Sequence, residues 1–190
     1  YFCDKTDPIK HITIIPAGNT GGVTLSVPTE DRMGATRGEM LDRIVLSLGG
    51  RAAEEIVLDD ISTGASSDIQ KATRVARAMV TRYGMSDALG TVLYGSEHSS
   101  DEVFLGRDFS NTKTYSDKTA SEIDAEIRRI VDEAYNKCMD ILNANIEKLH
   151  FISEYLIKNE IMDADQFRAV MEGAPTFEEL DEMVAEKRRR

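Results

Sequence analysis

Zinc hydrolysis needs two or three imidazoles or carboxylates converging on the metal, a coordination position left for water and a nearby general base. The histidines that could serve are His11, His98 and His150, and none lies four residues from another, so the chain carries no HExxH helix. His150, between Leu149 and Phe151, reads as a histidine at the edge of a core, and His98 lies in a polar loop. Cys3 and Cys138 lack the paired spacing of a zinc ribbon or redox site and read as two reduced thiols. No Gly-rich loop ends in Lys-Ser/Thr, no dinucleotide fingerprint is formed, and no G-x-S-x-G elbow occurs. The acids that remain of interest are the pair Glu54-Glu55 and the single Asp68 in "GASSDI". Taken alone, Glu54-Glu55 is either a buried pair or a solvated helix face. Asp68 alone is an acid at a helix start, favourable with the helix dipole by about 0.3 to 1 kcal/mol.

The elements that hold these residues are mostly helical. "HITIIP" (His11 to Pro16) and "GVTLSVP" (Gly22 to Pro28) are β-branched runs joined by "AGNTG", and they are the only convincing strands, as a hairpin or adjacent pair. Thr36-Arg-Gly-Glu39 has the pattern of a capping box, and Met40, Leu41, Ile44, Val45 and Leu48 continue it at helical spacing. Gly49-Gly50 then either lies in one helix as a close-packing device or divides two short ones. After the loop "DDISTGASS", Ile69, Ala72, Val75, Ala76, Met79, Val80 and Tyr83 mark one face of a helix that ends at Gly84. Asp68 falls in or just before its first turn. Ser86 to Thr114 is a long polar connection with a short strand expected at "TVLYG". From Ser116 the positions Ile123, Ile127, Ile130, Val131, Ala134, Cys138, Ile141 and Leu142, then Ile146, Leu149, Ile152, Tyr155 and Leu156, predict one very long helix or a pair broken at "NAN" (Asn143 to Asn145). Asp163-Ala-Asp-Gln166 and Thr176-Phe-Glu-Glu179 open two shorter helices separated by Pro175.

With 190 residues and 41% hydrophobic content the chain can build one substantial core or two small ones. Its net charge of -11 argues against a nucleic-acid partner, because phosphate binding needs clustered Lys and Arg. The one basic run, Lys187 to Arg190, reads as a solvated helix end. No apolar run approaches the roughly 20 residues of a membrane span, and the first residues have no basic-then-apolar signal pattern, so this chain by itself is expected to be soluble. It opens on "YFCDKTDP" without Met, as expected of a piece of something longer.

"DPIKHITIIPAG", "LGGRAAEEI", "STGASSDIQKATRVARAMVTRYGMS", "FLGRDFS" and "IRRIVDEAYNKC" together resemble the protease domain of the FtsH-type ATP-dependent zinc metalloproteases, in that family's order and spacing and over nearly the whole chain, weakening after about Asn159. The resemblance implies a mostly α protease domain with a small β element near the start and long C-terminal helices. In it, residues 1–110 are the remainder of the catalytic region and 111–190 the helical C-terminal part. The implied parent is a membrane-anchored homo-hexamer whose ATPase ring unfolds polypeptides and feeds them to a protease ring. It would sit in the bacterial cytoplasmic membrane with the protease facing the cytoplasm, or in an organelle inner membrane. Its cofactors are zinc in the protease and ATP in an ATPase domain absent from this chain.

Residue by residue, the resemblance implies that Asp68 is a zinc ligand. It also implies that the other half of the site, an HExxH helix with two histidines and a glutamate base, lies upstream of Tyr1, so that no catalytic residue is expected in this chain. One carboxylate cannot hold a catalytic zinc, so the chain alone is expected to bind none and to be inactive. On the residues alone, Glu54 and Glu55 stay open as rival ligands. An edge strand beside the zinc site is implied to pair with extended substrate, which falls on Gly22, Val23, Thr24, Leu25 and Ser26; by residues alone the strand only covers a core. The alternative to a protease is a non-catalytic helical oligomerisation or interaction module.

Overall fold

The computed structural model describes residues 1–16, 18, 21–28, 33–58, 60–94 and 115–189. Among them are six α-helices, α1 (Arg37–Leu58), α2 (Ser66–Thr81), α3 (Asp117–Ala144), α4 (Ile146–Asn159), α5 (Ala164–Glu172) and α6 (Phe177–Arg189), and three short strands, β1 (Ile9–Thr13), β2 (Val23–Ser26) and β3 (Ile161–Asp163). The mostly α class with a small sheet near the start is therefore the observed one. The chain divides into two compact units, one of residues 1–33 with 141–190 and one of residues 34–140.

In the first unit the sheet has the order β2-β1-β3, antiparallel throughout. The third strand, β3, lies where the sequence led us to expect none. It is three residues long and sits between the left-handed cap of α4 at Glu160 (φ 64°) and the capping box of α5, so no run of alternating residues announces it. Its pairing, His11 with Asp163 and Thr13 with Ile161, joins distant parts of the chain. β1 also begins earlier than expected and ends at Thr13. Ile15 turns its N–H onto Thr13 Oγ1 (3.1 Å) and Ile14 donates to Glu160 O (3.0 Å), which takes both out of the β1–β2 ladder.

Gly22, just before β2, has a specific reason to be glycine: a Cβ there would lie 2.6 Å from Thr13 O. Beneath the sheet, Tyr155, Leu156, Met162, Val170 and Leu180 form a buried cluster, with Ile12, Phe151 and Phe177 packed against it. Tyr155 donates to Asp181 (2.9 Å) and accepts from the buried Gln166 amide (2.7 Å), so its hydroxyl is satisfied. Burial and the Asp181 carboxylate push the phenol up to about 12.

In the second unit α1 packs along α2. Met40, Ile44, Val45 and Leu48 are buried from α1 and Ala72, Ala76, Met79 and Val80 from α2, as their spacing predicts. Ile69 and Tyr83, expected on the same face, are 40% and 56% exposed: Ile69 stands in the first turn of α2, and Tyr83 lies beyond the helix, which ends at Thr81 and not at Gly84. α1 runs unbroken through Gly49-Gly50, yet a Cβ at either would meet nothing within 4 Å, so close packing is not what these glycines provide. At Gly84 a glycine is required, both by its φ of 57° and by the backbone of Thr91, whose Cα would be 2.8 Å from a Cβ.

The expected long helix is a pair, α3 and α4, broken at Asn145 (φ -128°) within the predicted "NAN". Asn145 Nδ2 donates back to Ile141 O (2.9 Å), satisfying one carbonyl at the end of α3. The capping boxes read at Thr36/Glu39, Asp163/Gln166 and Thr176/Glu179 are all formed, each with side chain to backbone bonds in both directions. The strand expected at "TVLYG" is not formed over Thr91–Tyr94; the local pairing there is a single Ser86–Gly90 bridge. The rest of the polar connection, with "FLGRDFS" and His98, lies outside the described residues.

Candidate metal and substrate site

Asp68 occupies the first turn of α2, as its sequence context predicts, with a side chain 39% exposed. Its carboxylate oxygen takes a hydrogen bond from Lys71 Nζ at 2.9 Å. α2 begins at Ser66, and its N-cap, Ala65, makes no side-chain cap bond. What organises the entry is the 3-10 turn Thr63–Ala65 just before it. Ser62 caps that turn, its Oγ accepting from Gly64 N (3.1 Å), and Ser66 N donates to Thr63 O. Ala65 is buried, so its methyl seats the turn from below.

The rival acids on α1 are both engaged as acceptors. Glu54 accepts a hydrogen bond from the Ser62 hydroxyl on one oxygen (2.6 Å) and from the Ser62 N–H on the other (3.3 Å). Those bonds, with Arg51 nearby, hold its carboxyl below the usual carboxylate range. Glu55 accepts from Tyr135 of α3 at 2.6 Å, and burial together with that carboxylate pushes the phenol up to about 12. The pair is thus not a buried couple but lies toward solvent, with each carboxylate engaged by a different partner. The signal missed in the sequence was Ser62, whose place two residues before Gly64 is that of a hydroxyl that closes a local turn.

A catalytic zinc requires converging donors. Among the described residues no group of three or more His, Cys, Asp or Glu could hold a metal ion. Asp68 is chemically suited to supply one oxygen, but the described residues do not by themselves make the remainder of a site. His11 lies on β1 opposite Leu25 and Asp163, and His150 is exposed on α4, both in the first unit.

Gly22 to Ser26, the expected substrate strand, belongs to the first unit too. β2 covers Val23–Ser26, forms an edge of the sheet, and is exposed at every residue. Its partner is β1, with Thr24 opposite Ile12 and Leu25 opposite His11. Val23 (36%) and Leu25 (39%) leave apolar side chains in solvent on this edge. No helix among the described residues is long and apolar enough to cross a membrane.

Residues 1–170 match the model of peptidase family M41. The ATP-dependent zinc metalloprotease FtsH 2 of Alkaliphilus metalliredigens is 52% identical over 168 residues, 88% of this chain and 24% of the relative. FtsH 1 of Thermoanaerobacter sp. (strain X514) is 49% identical over 169 residues, 89% of this chain and 27% of the relative. For FtsH of Bacillus subtilis (strain 168) the identity is 46% over 169 residues, 89% and 26% respectively. The chain spans about a quarter of the length of these curated relatives. A match that takes in the sheet, the Asp68 turn and most of the C-terminal helices cannot be the accident of one short motif, and the chain belongs to peptidase family M41.

Proposed function

We propose that this chain is part of the protease domain of an ATP-dependent zinc metalloendopeptidase that hydrolyses peptide bonds in unfolded and membrane proteins. Residues 1–110 carry the part of the catalytic region present here, and 111–190 the helical C-terminal part. Asp68 is one ligand of the zinc, and the other donors come from outside the described residues. The observation that carries the reading is the delivery of Asp68, by a turn of small residues, onto the exposed first turn of α2, inside the stretch that matches the family. Zinc, when bound, supplies a Lewis acid and an activated water. ATP is consumed in an ATPase domain that this chain does not contain. The parent is a homo-hexamer anchored in a membrane, with no nucleic-acid partner. By itself this chain neither retains zinc nor cleaves peptides; stoichiometric zinc in the purified 190-residue chain would refute that.

The edge strand Val23–Ser26, with Gly22 before it, receives extended substrate by strand addition. Its support is the exposure of all four strand residues at a sheet edge. Backbone pairing suits a protease that accepts many sequences, since the hydrogen bonds read no side chain.

Asp68→Asn in the parent protease tests the central assignment. Zinc content measured by metal analysis and casein hydrolysis should both fall to background, and retention of both would refute Asp68 as a ligand. For the strand, Thr24→Pro should suppress cleavage of an extended peptide while the far-UV circular dichroism is kept. Unchanged cleavage would leave the strand a mere cover for the sheet.

A further inference from the structure

The α2 entry is anchored from α1 through a chain of three residues. Glu54 lies on α1, four residues before its end at Leu58. Both oxygens of its carboxylate are used on one residue, Ser62: Oε1 accepts from Oγ at 2.6 Å and Oε2 from the backbone N–H at 3.3 Å. Ser62 Oγ, its O–H directed at Glu54, accepts from Gly64 N at 3.1 Å. Gly64 admits this approach because a Cβ there would stand 3.1 Å from Ser62 Oγ and 3.9 Å from Glu54 Oε1. The turn then passes into α2, which has no side-chain cap of its own, and Asp68 follows within the first turn. α1 and α2 are packed together through buried side chains, so α1 is a rigid base for the clasp.

We infer that Glu54 is a positioning residue for Asp68: through Ser62 and Gly64 it fixes the turn that sets where the Asp68 carboxylate stands, and it is not itself a metal ligand. The inference rests on the reading of Asp68 as a ligand for its functional consequence, though not for the clasp itself. Both Glu54 oxygens are engaged by Ser62, which employs the carboxylate in holding the turn. The clasp also gives Gly64 a role beyond turn flexibility, since any side chain there would press on the Ser62 hydroxyl.

The test uses the parent protease and the variants Glu54→Gln, Ser62→Ala, their double, Ser62→Thr and Asp68→Asn. Two measurements are made: amide hydrogen exchange of the segment holding Gly64, and zinc affinity by competition with a chelator. Loss of either clasp partner should speed exchange at Gly64 several-fold, up to about tenfold, the range expected for losing one hydrogen bond. Zinc affinity should fall about 10- to 100-fold in Glu54→Gln and similarly in Ser62→Ala, as for groups that orient a ligand. The double variant should be no worse than either single one, and Ser62→Thr, which keeps the hydroxyl, should restore both readouts. Unchanged exchange at Gly64 in Glu54→Gln overturns the inference. So does a zinc affinity abolished by Glu54→Gln and untouched by Ser62→Ala, which would make Glu54 a ligand. If Asp68→Asn keeps normal zinc affinity, the ligand reading fails, and the exchange measurement still decides the clasp.

Discussion

Replacing Asp68 by Asn should cost the fold little, and the size of that cost decides whether a functional loss can be ascribed to the metal. Two interactions are removed. The ion pair with Lys71 at 2.9 Å joins side chains 39% and 62% exposed, and a pair so open to solvent is worth about 0.2 to 1 kcal/mol. The carboxylate also faces the positive end of α2, which adds about 0.3 to 1 kcal/mol. Asn keeps the shape and the local hydrogen-bonding capacity, so nothing is lost in packing. The two effects overlap in one charge, and the expected loss is about 0.5 to 1.5 kcal/mol, against the roughly 5 to 15 kcal/mol that holds a domain together. For a chain of this size that is a fall in melting temperature of roughly 1 to 6 °C. Urea titration followed by circular dichroism measures the loss directly. Repeating it in 1 M salt should shrink the loss, because the screening length falls to about 3 Å. A cost above about 3 kcal/mol, or one indifferent to salt, would refute this account and make Asp68 a residue that sustains the fold.

The Glu126 side chain on α3 is only 7% exposed and accepts from Arg129, while Ser86 also bonds to it, so Glu126→Gln should destabilise by about 1 to 3 kcal/mol in chemical denaturation. The Arg129 bond holds its carboxyl below the ordinary value of 4.5. The stabilisation is therefore complete above that pH and lost as pH falls through the lower folded value, so the variant's stability should drop less steeply in acid than that of the parent chain. Gly22→Ala forces a Cβ to within 2.6 Å of Thr13 O and should open the β1–β2 end, seen as faster amide exchange in Val23 to Ser26. Glu160→Gly relieves a left-handed residue at the end of α4 and should raise the melting point, by up to about 1 kcal/mol of stability; a fall would show that the Glu160 side chain matters more than its φ.

The three capping boxes and the helix faces were legible because their partners are three or four residues apart, inside the range over which a helix repeats. β3 was not, since its three residues have meaning only against β1, near the other end of the chain. The glycines of α1 misled for the opposite reason: glycine next to glycine suggests close approach, and the space beside them is open. Asp68 shows both limits at once. Its place at a helix start could be read locally, but its candidacy as a ligand came from resemblance, because one acid has no spacing that identifies a site.

By itself the amino-acid sequence determined the helical class, the helix starts and the family, all of which rest on local periodicity or on order along the chain. Only the tertiary structure decided the employment of Glu54 and Glu55. Side by side in sequence, they point to different partners, one to Ser62 eight residues on and the other to Tyr135 on α3. The reason is physical: a carboxylate's chemistry is set by the donors that reach it, and those donors arrive through chain reversal and helix packing that no spacing along α1 records.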